Sequence, residues 1–209
     1  FKQKTAYEIG VRLVGSEMCI RDRSQAGFII APLAVSGITG NYQDGIFASI
    51  TYLIIYAFMN IGAFLSVHLF TNFTKSDNFY EWGGIAKHSP LTGVLTTVFF
   101  FSLAGIPPLG GWFAKFVVFR SLLSTGETIG VSLAIVGAIN AVIALVYYAR
   151  ISKVIWMDEL KNPEEEKSFE FQSPLKVVGA LTVLITFVAG IFPGIFSYLG
   201  EVSSIFFGN

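Results

Sequence analysis

Lys115 is the residue of this sequence best placed to do chemistry. It lies in the stretch Ser102-Leu103-Ala104-Gly105-Ile106-Pro107-Pro108-Leu109-Gly110-Gly111-Trp112-Phe113-Ala114-Lys115-Phe116, within an apolar run from Ser89 to Leu123, with no carboxylate near it in sequence. A charged side chain at membrane depth is expensive unless a cavity, water or a partner receives it. Just before it, Gly105, Pro107, Pro108, Gly110 and Gly111 form a helix breaker. The two prolines remove backbone N–H donors. Backbone groups freed at membrane depth are tolerated only where protein or water satisfies them again. A broken helix beside a buried amine suits ion transport, the amine taking up and releasing a proton. Two plainer readings compete: Lys115 could snorkel to the interface, and Gly105 to Gly111 could be a simple interhelical turn. The breaker favours the proton-transfer reading, because it sets Lys115 near mid-membrane.

The elements around this stretch follow from apolar length. As one helix, the run from 89 to 123 would be about 52 Å long against a hydrocarbon core of ~30 Å, so it must break or fold back. The expected halves are 89–106 and 111–123. Residues 24–38 read as a short apolar helix bent at Pro32, followed by a turn cluster from Gly37 to Gln43. Residues 45–71 read as a full span carrying Tyr52, Tyr56, Asn60 and His68. A polar loop covers 72–88. Residues 129–155 form a long helix with Asn140, Tyr147, Tyr148 and Arg150. A charged loop, 156–173, precedes a last span over 174–199 that is interrupted at Pro193-Gly194.

The composition agrees with this reading. The 209 residues are 53% hydrophobic and only 13% charged, against roughly 25% charged in soluble domains. The expectation is an all-α, polytopic transmembrane bundle of about five to six helices, one of them broken. Lys and Arg together equal Asp and Glu, 14 each, so no nucleic-acid partner is implied. A lone cysteine, Cys19, and two well-separated histidines exclude a disulfide framework and a metal cage. Arg150, Lys153, Lys161, Lys167 and Lys176 outnumber Lys75, Lys87 and Arg120 on the opposite side, which places the 156–173 loop in the cytoplasm. Glu164, Glu165 and Glu166 read as a solvated face.

Several polar residues admit two roles. Asn60 and Asn140 suit interhelical hydrogen bonds or a polar path. Tyr147 and Tyr148 suit an interfacial aromatic belt, with Arg150 at its boundary, although Tyr147 could also line a path. His68 reads as interfacial and Glu127 as a solvated loop charge. Residues 1–23 are densely charged and lack the apolar core of a signal peptide. Residues 5–23 resemble translated sequencing-adapter DNA, so 1–23 are expected to be a non-native or disordered arm and 24–209 the membrane domain.

The order of motifs carries a resemblance. Ser102-Leu103-Ala104-Gly105-Ile106-Pro107 followed by Lys115-Phe116-Val117-Val118-Phe119 resembles the late broken-helix motif of the antiporter-like subunits of respiratory complex I, NADH-quinone oxidoreductase, above all the subunit N branch. Ser24-Gln25-Ala26-Gly27-Phe28, Tyr56 to Phe64, and Ala144 to Ile151 are similar to its other segments, in the same order. The resemblance covers residues 24 to about 200. It implies half of an antiporter-like inverted-repeat fold, truncated at its N-terminus, in a bacterial inner membrane. It implies proton translocation coupled to quinone reduction, with Lys115 transferring the proton. It implies partners among the other membrane-arm subunits and the lipid bilayer. NADH, FMN, iron–sulfur clusters and quinone would belong to the rest of the complex, this chain binding none and carrying no redox site. Gln25 stands where some members place a histidine, so it is at most a polar member of the path. The alternative is a Na⁺/H⁺ antiporter subunit, although Lys115-Phe116 differs from the Lys-Asp or Lys-Glu common there. A transport-inactive scaffold is a third reading, and Lys115 weighs against it.

Overall fold

The computed structural model describes residues 6–74, 76, 78–159 and 173–207. Every regular element among them is helical: α1 (Ala6–Thr39), α2 (Tyr42–Thr74), α3 (Ile85–His88), α4 (Pro90–Ala104), α5 (Gly110–Ser124), α6 (Thr128–Met157), α7 (Ser173–Ile191) and α8 (Gly194–Phe207), with one 3₁₀ turn at Phe79–Glu81. The positive-inside argument and the acidic run Glu164–Glu166 rest on a loop whose residues 160–172 lie outside the described ones, as does Lys75.

The expected boundaries hold to within a few residues, with instructive exceptions. α1 begins at Ala6, inside the stretch expected as an arm, and continues through Pro32 to Thr39. The anticipated turn therefore shrinks to Gly40-Asn41, where Gly40 takes φ +78°. The 72–88 segment is also more ordered than a polar loop. Asn78 caps the 3₁₀ turn with its side chain, and Trp82 is buried against Phe70, ring centres 5.5 Å apart.

α2 is the hub, touching α1, α4, α5, α7 and α8. Its buried face carries Ala48, Tyr52, Ile55, Met59, Ala63 and Phe70. α2 and α6 are each long and apolar enough to cross a membrane, and the bent pair α7–α8 makes a possible third span, with an 85° bend between its halves. Among the described residues the clean spans are fewer than five to six because the first half of α1 is charged and the break divides α4 from α5. α4 and α5, 15 residues each, are about 22 Å long and amount to half-spans.

Candidate functional site

The break is built from the end of α4. Gly105 adopts φ +94°, a left-handed conformation that glycine reaches without strain. This turn lets the Gly105 amide donate to the carbonyls of Phe101 and Ser102, and the Ile106 amide to Phe101. Two end carbonyls of α4, Leu103 and Ala104, are left to find donors elsewhere.

Lys115 supplies them. Its Nζ donates to Leu103 O at 2.9 Å and to Ala104 O at 2.7 Å. The residue is only 5% exposed, so the side chain turns inward instead of snorkelling. The partner is thus the negative end of a half-helix, which favours a cation. Gly105 makes the approach possible, since a Cβ there would stand 2.9 Å from Lys115 Cδ. Trp112 and Phe116 stack on the exposed side of the same helix.

The expected breaker is shorter than its five named residues. Only Gly105, Pro107 and Pro108 belong to the connection, because Gly110 and Gly111 open α5. They serve close approach. A Cβ on Gly111 would fall on the Ser102 carbonyl, and one on Gly110 would stand 2.9 Å from Ala189 Cβ and 3.0 Å from Thr186 O of α7. The Ser102 hydroxyl, fully buried, donates to Met59 Sδ at 2.7 Å and accepts the Gly111 amide at 3.2 Å.

A second polar pair lies close by. Gln25 of α1 is buried and accepts the Tyr52 hydroxyl hydrogen bond. Phe28 links this pair to the lysine. Its ring stacks on Tyr52 at 5.8 Å, meets Phe119 edge-on at 6.0 Å, and has Lys115 Nζ 5.4 Å from its centre, within cation–π range. Tyr52, Tyr56 and Asn60 follow at i, i+4 spacing along α2, and Tyr52 and Tyr56 stack at 6.2 Å. Asn60 is half-buried at the far end of this row.

Other expected residues sit elsewhere. Asn140 is exposed on α6 and lines a cleft of about 120 Å³ shared with Ser24, Gly27, Phe28, Leu122 and Gly137. The aromatic belt fails at Tyr148, which is fully buried and stacks on Phe100 at 5.4 Å because α6 packs on α4 there. Tyr147 is half-buried with its ring 5.6 Å from Tyr148. Arg150 is exposed over the Tyr80 ring, His68 is exposed and bonded to Asn72, and Glu127 is exposed.

Sequence reasoning missed Ser102, Tyr52 and Phe28. Ser102 had a signal: a serine one turn before a glycine C-cap is placed to stitch the next helix. The Phe28–Lys115 contact had none, because it depends on how α1 packs on α5.

Residues 23–143 match the family described as NADH:quinone oxidoreductase/Mrp antiporter, TM. NADH-quinone oxidoreductase subunit N of Moorella thermoacetica is 32% identical over 170 residues, covering 81% of this chain and 34% of the relative. Subunit N 2 of Rhizobium meliloti is 37% identical over 177 residues, covering 83% of this chain and 35% of the relative. The chain therefore spans about a third of the length of the curated relatives it matches. Among solved structures, a chain of respiratory complex I from Thermus thermophilus with bound aureothin aligns with a TM-score of 0.54 at 19% identity, over 91% of this chain and 45% of that one. At that identity the likeness establishes the fold.

Proposed function

Since the chain belongs to the NADH:quinone oxidoreductase/Mrp antiporter transmembrane family, we propose that it works within a proton-translocating membrane-arm subunit of an NADH-quinone oxidoreductase, with Lys115 as the group that holds and passes the proton. The observation that carries this reading is the buried Lys115 amine held by two carbonyls at the broken end of α4. Backbone carbonyls hold an ammonium but cannot take its proton, so the charge leaves only when a proton acceptor reaches Nζ.

The break supplies a way to alter that access. Leu103 and Ala104 end one helix and Lys115 lies in the second turn of the next, so a shift of α4 against α5 changes the number of carbonyls Nζ can reach. With both in place the ammonium is favoured. With them withdrawn, the amine gives its proton to water or to a polar neighbour. Gln25, Tyr52, Tyr56 and Asn60 form the polar side of the site, bonding and orienting groups along α1 and α2, with Tyr147 and Asn140 further out on α6. NADH oxidation, the FMN and iron–sulfur relay, and quinone reduction belong to other subunits of the complex, in a bacterial inner membrane. The partners of this chain are neighbouring membrane-arm subunits and lipid.

The test is Lys115→Met in the assembled complex, reading protons moved per electron in sealed vesicles. The expected outcome is a depressed ratio with electron transfer retained. A wild-type ratio refutes the role of Lys115. Activity that follows an imposed Na⁺ gradient and ignores quinone reduction would assign the chain to Na⁺/H⁺ antiport instead.

A further inference from the structure

Phe28 belongs to two surroundings at once. On one side its ring lies against Lys115 Nζ, 5.4 Å from the centroid. On another it forms part of the wall of a largely apolar cleft, in which Ser24 and Asn140 are the polar side chains beside Ala31, Leu122, Leu133 and Val136. That cleft, about 120 Å³, has room for several waters, since roughly 10–15 Å³ of such space suffices for one. Ser24 and Asn140 offer polar partners to water there from two different helices. Asn140 is moreover an exposed amide near the middle of α6, a costly residue to leave against lipid and a natural one against water.

We propose that this cleft is water-filled and that Phe28 is a gate between it and Lys115. Closed, its ring covers the amine and keeps cleft water away. Swung about its side-chain torsions, it joins the cleft to Nζ and completes a route for the proton. The closed position is held by the Tyr52 stack and the Phe119 edge contact, and Tyr52 is itself held by Gln25. Gly137 gives the gate its seat, because a Cβ there would stand 3.1 Å from the Phe28 ring and 3.2 Å from that of Phe119. Phe28 is thus a positioning residue, and Gln25 and Tyr52 act on Lys115 through it.

This inference rests on the proposed proton role of Lys115, but its test reads water access and not pumping. In the full-length subunit, assembled in its membrane and freed of its native cysteines, Lys115→Cys installs a reporter. The probe is a positively charged, water-soluble methanethiosulfonate. With Phe28 present the reporter reacts slowly. In Phe28→Ala the rate rises several-fold, and Phe28→Tyr restores the slow rate. Equal rates in Phe28 and Phe28→Ala overturn the gate, as does a rate increase seen only with a neutral, lipid-soluble thiol reagent. If Phe28→Ala does not assemble, Phe28→Val decides the question on the same criterion. A normal proton ratio in Lys115→Met sinks the proton role and leaves the labelling result standing. A depressed ratio with unchanged labelling sinks the gate alone.

Discussion

The Gly111 amide donates to the Ser102 hydroxyl at 3.2 Å, which ties the last turn of α4 to the first turn of α5 across the break. The same hydroxyl reaches Met59 on α2, so one buried atom joins three helices around Lys115.

Replacing Ser102 by alanine strands the buried Gly111 N–H. The expected loss is about 1–3 kcal/mol of stability, read as a lowered thermal midpoint of the detergent-solubilised complex. Gly111→Ala is worse, because its Cβ meets backbone that cannot rotate away, and the prediction is failed assembly on native gels. An unchanged midpoint in Ser102→Ala would show that the hydroxyl does not secure the break.

Lys115→Arg separates charge from proton transfer. A guanidinium stays protonated in proteins and can still donate to the α4 carbonyls. The variant should therefore assemble as well as wild type while losing most of its proton translocation. Pumping at the wild-type ratio would mean that the positive charge alone is required.

Gly105→Ala combines two penalties. Left-handed backbone disfavours alanine by roughly 1–2 kcal/mol, and the new Cβ crowds Lys115 Cδ at 2.9 Å. We expect a lowered thermal midpoint together with reduced pumping. An effect on stability with an intact proton ratio would show that the Lys115 side chain adjusts within its cradle.

The Gln25–Tyr52 bond is buried on both sides. Gln25→Leu leaves the tyrosine hydroxyl without its acceptor, for about 1–3 kcal/mol. Tyr52→Phe leaves the glutamine amide similarly bereft, whereas the double variant is milder than the sum of the two. Chemical denaturation of the wild type and the three variants completes the cycle. Simple additivity would show that the pair does not act as a unit.

The break and its lysine were readable in the sequence because prolines and glycines leave no other option at membrane depth. The counter-group was not readable. A search for a carboxylate finds none, since the negative partner is the backbone of Leu103 and Ala104, and backbone carries no residue label. A glycine C-cap at Gly105 does hint at carbonyls left over, and that is the signal to look for in similar segments. Gly110 and Gly111 looked like part of the break because glycine disfavours helix. They sit in the helix because larger residues would collide with Ser102 and α7. Tyr148 was misplaced for a related reason: which face of α6 meets α4 depends on packing that periodicity does not resolve in a helix apolar on every side.

The last helical turn of α7 bears on this break. A Cβ on Gly190 would collide with the Pro108 carbonyl, and α7 ends one residue later, at Ile191, just before the 85° corner into α8. Two joints of the molecule therefore meet backbone to backbone, with no side chain between them to act as a cushion. In mechanical terms they share one bearing: the Pro108 backbone leaves no room for a side chain at the end of α7, so the α4–α5 break and the α7–α8 corner are packed as one unit.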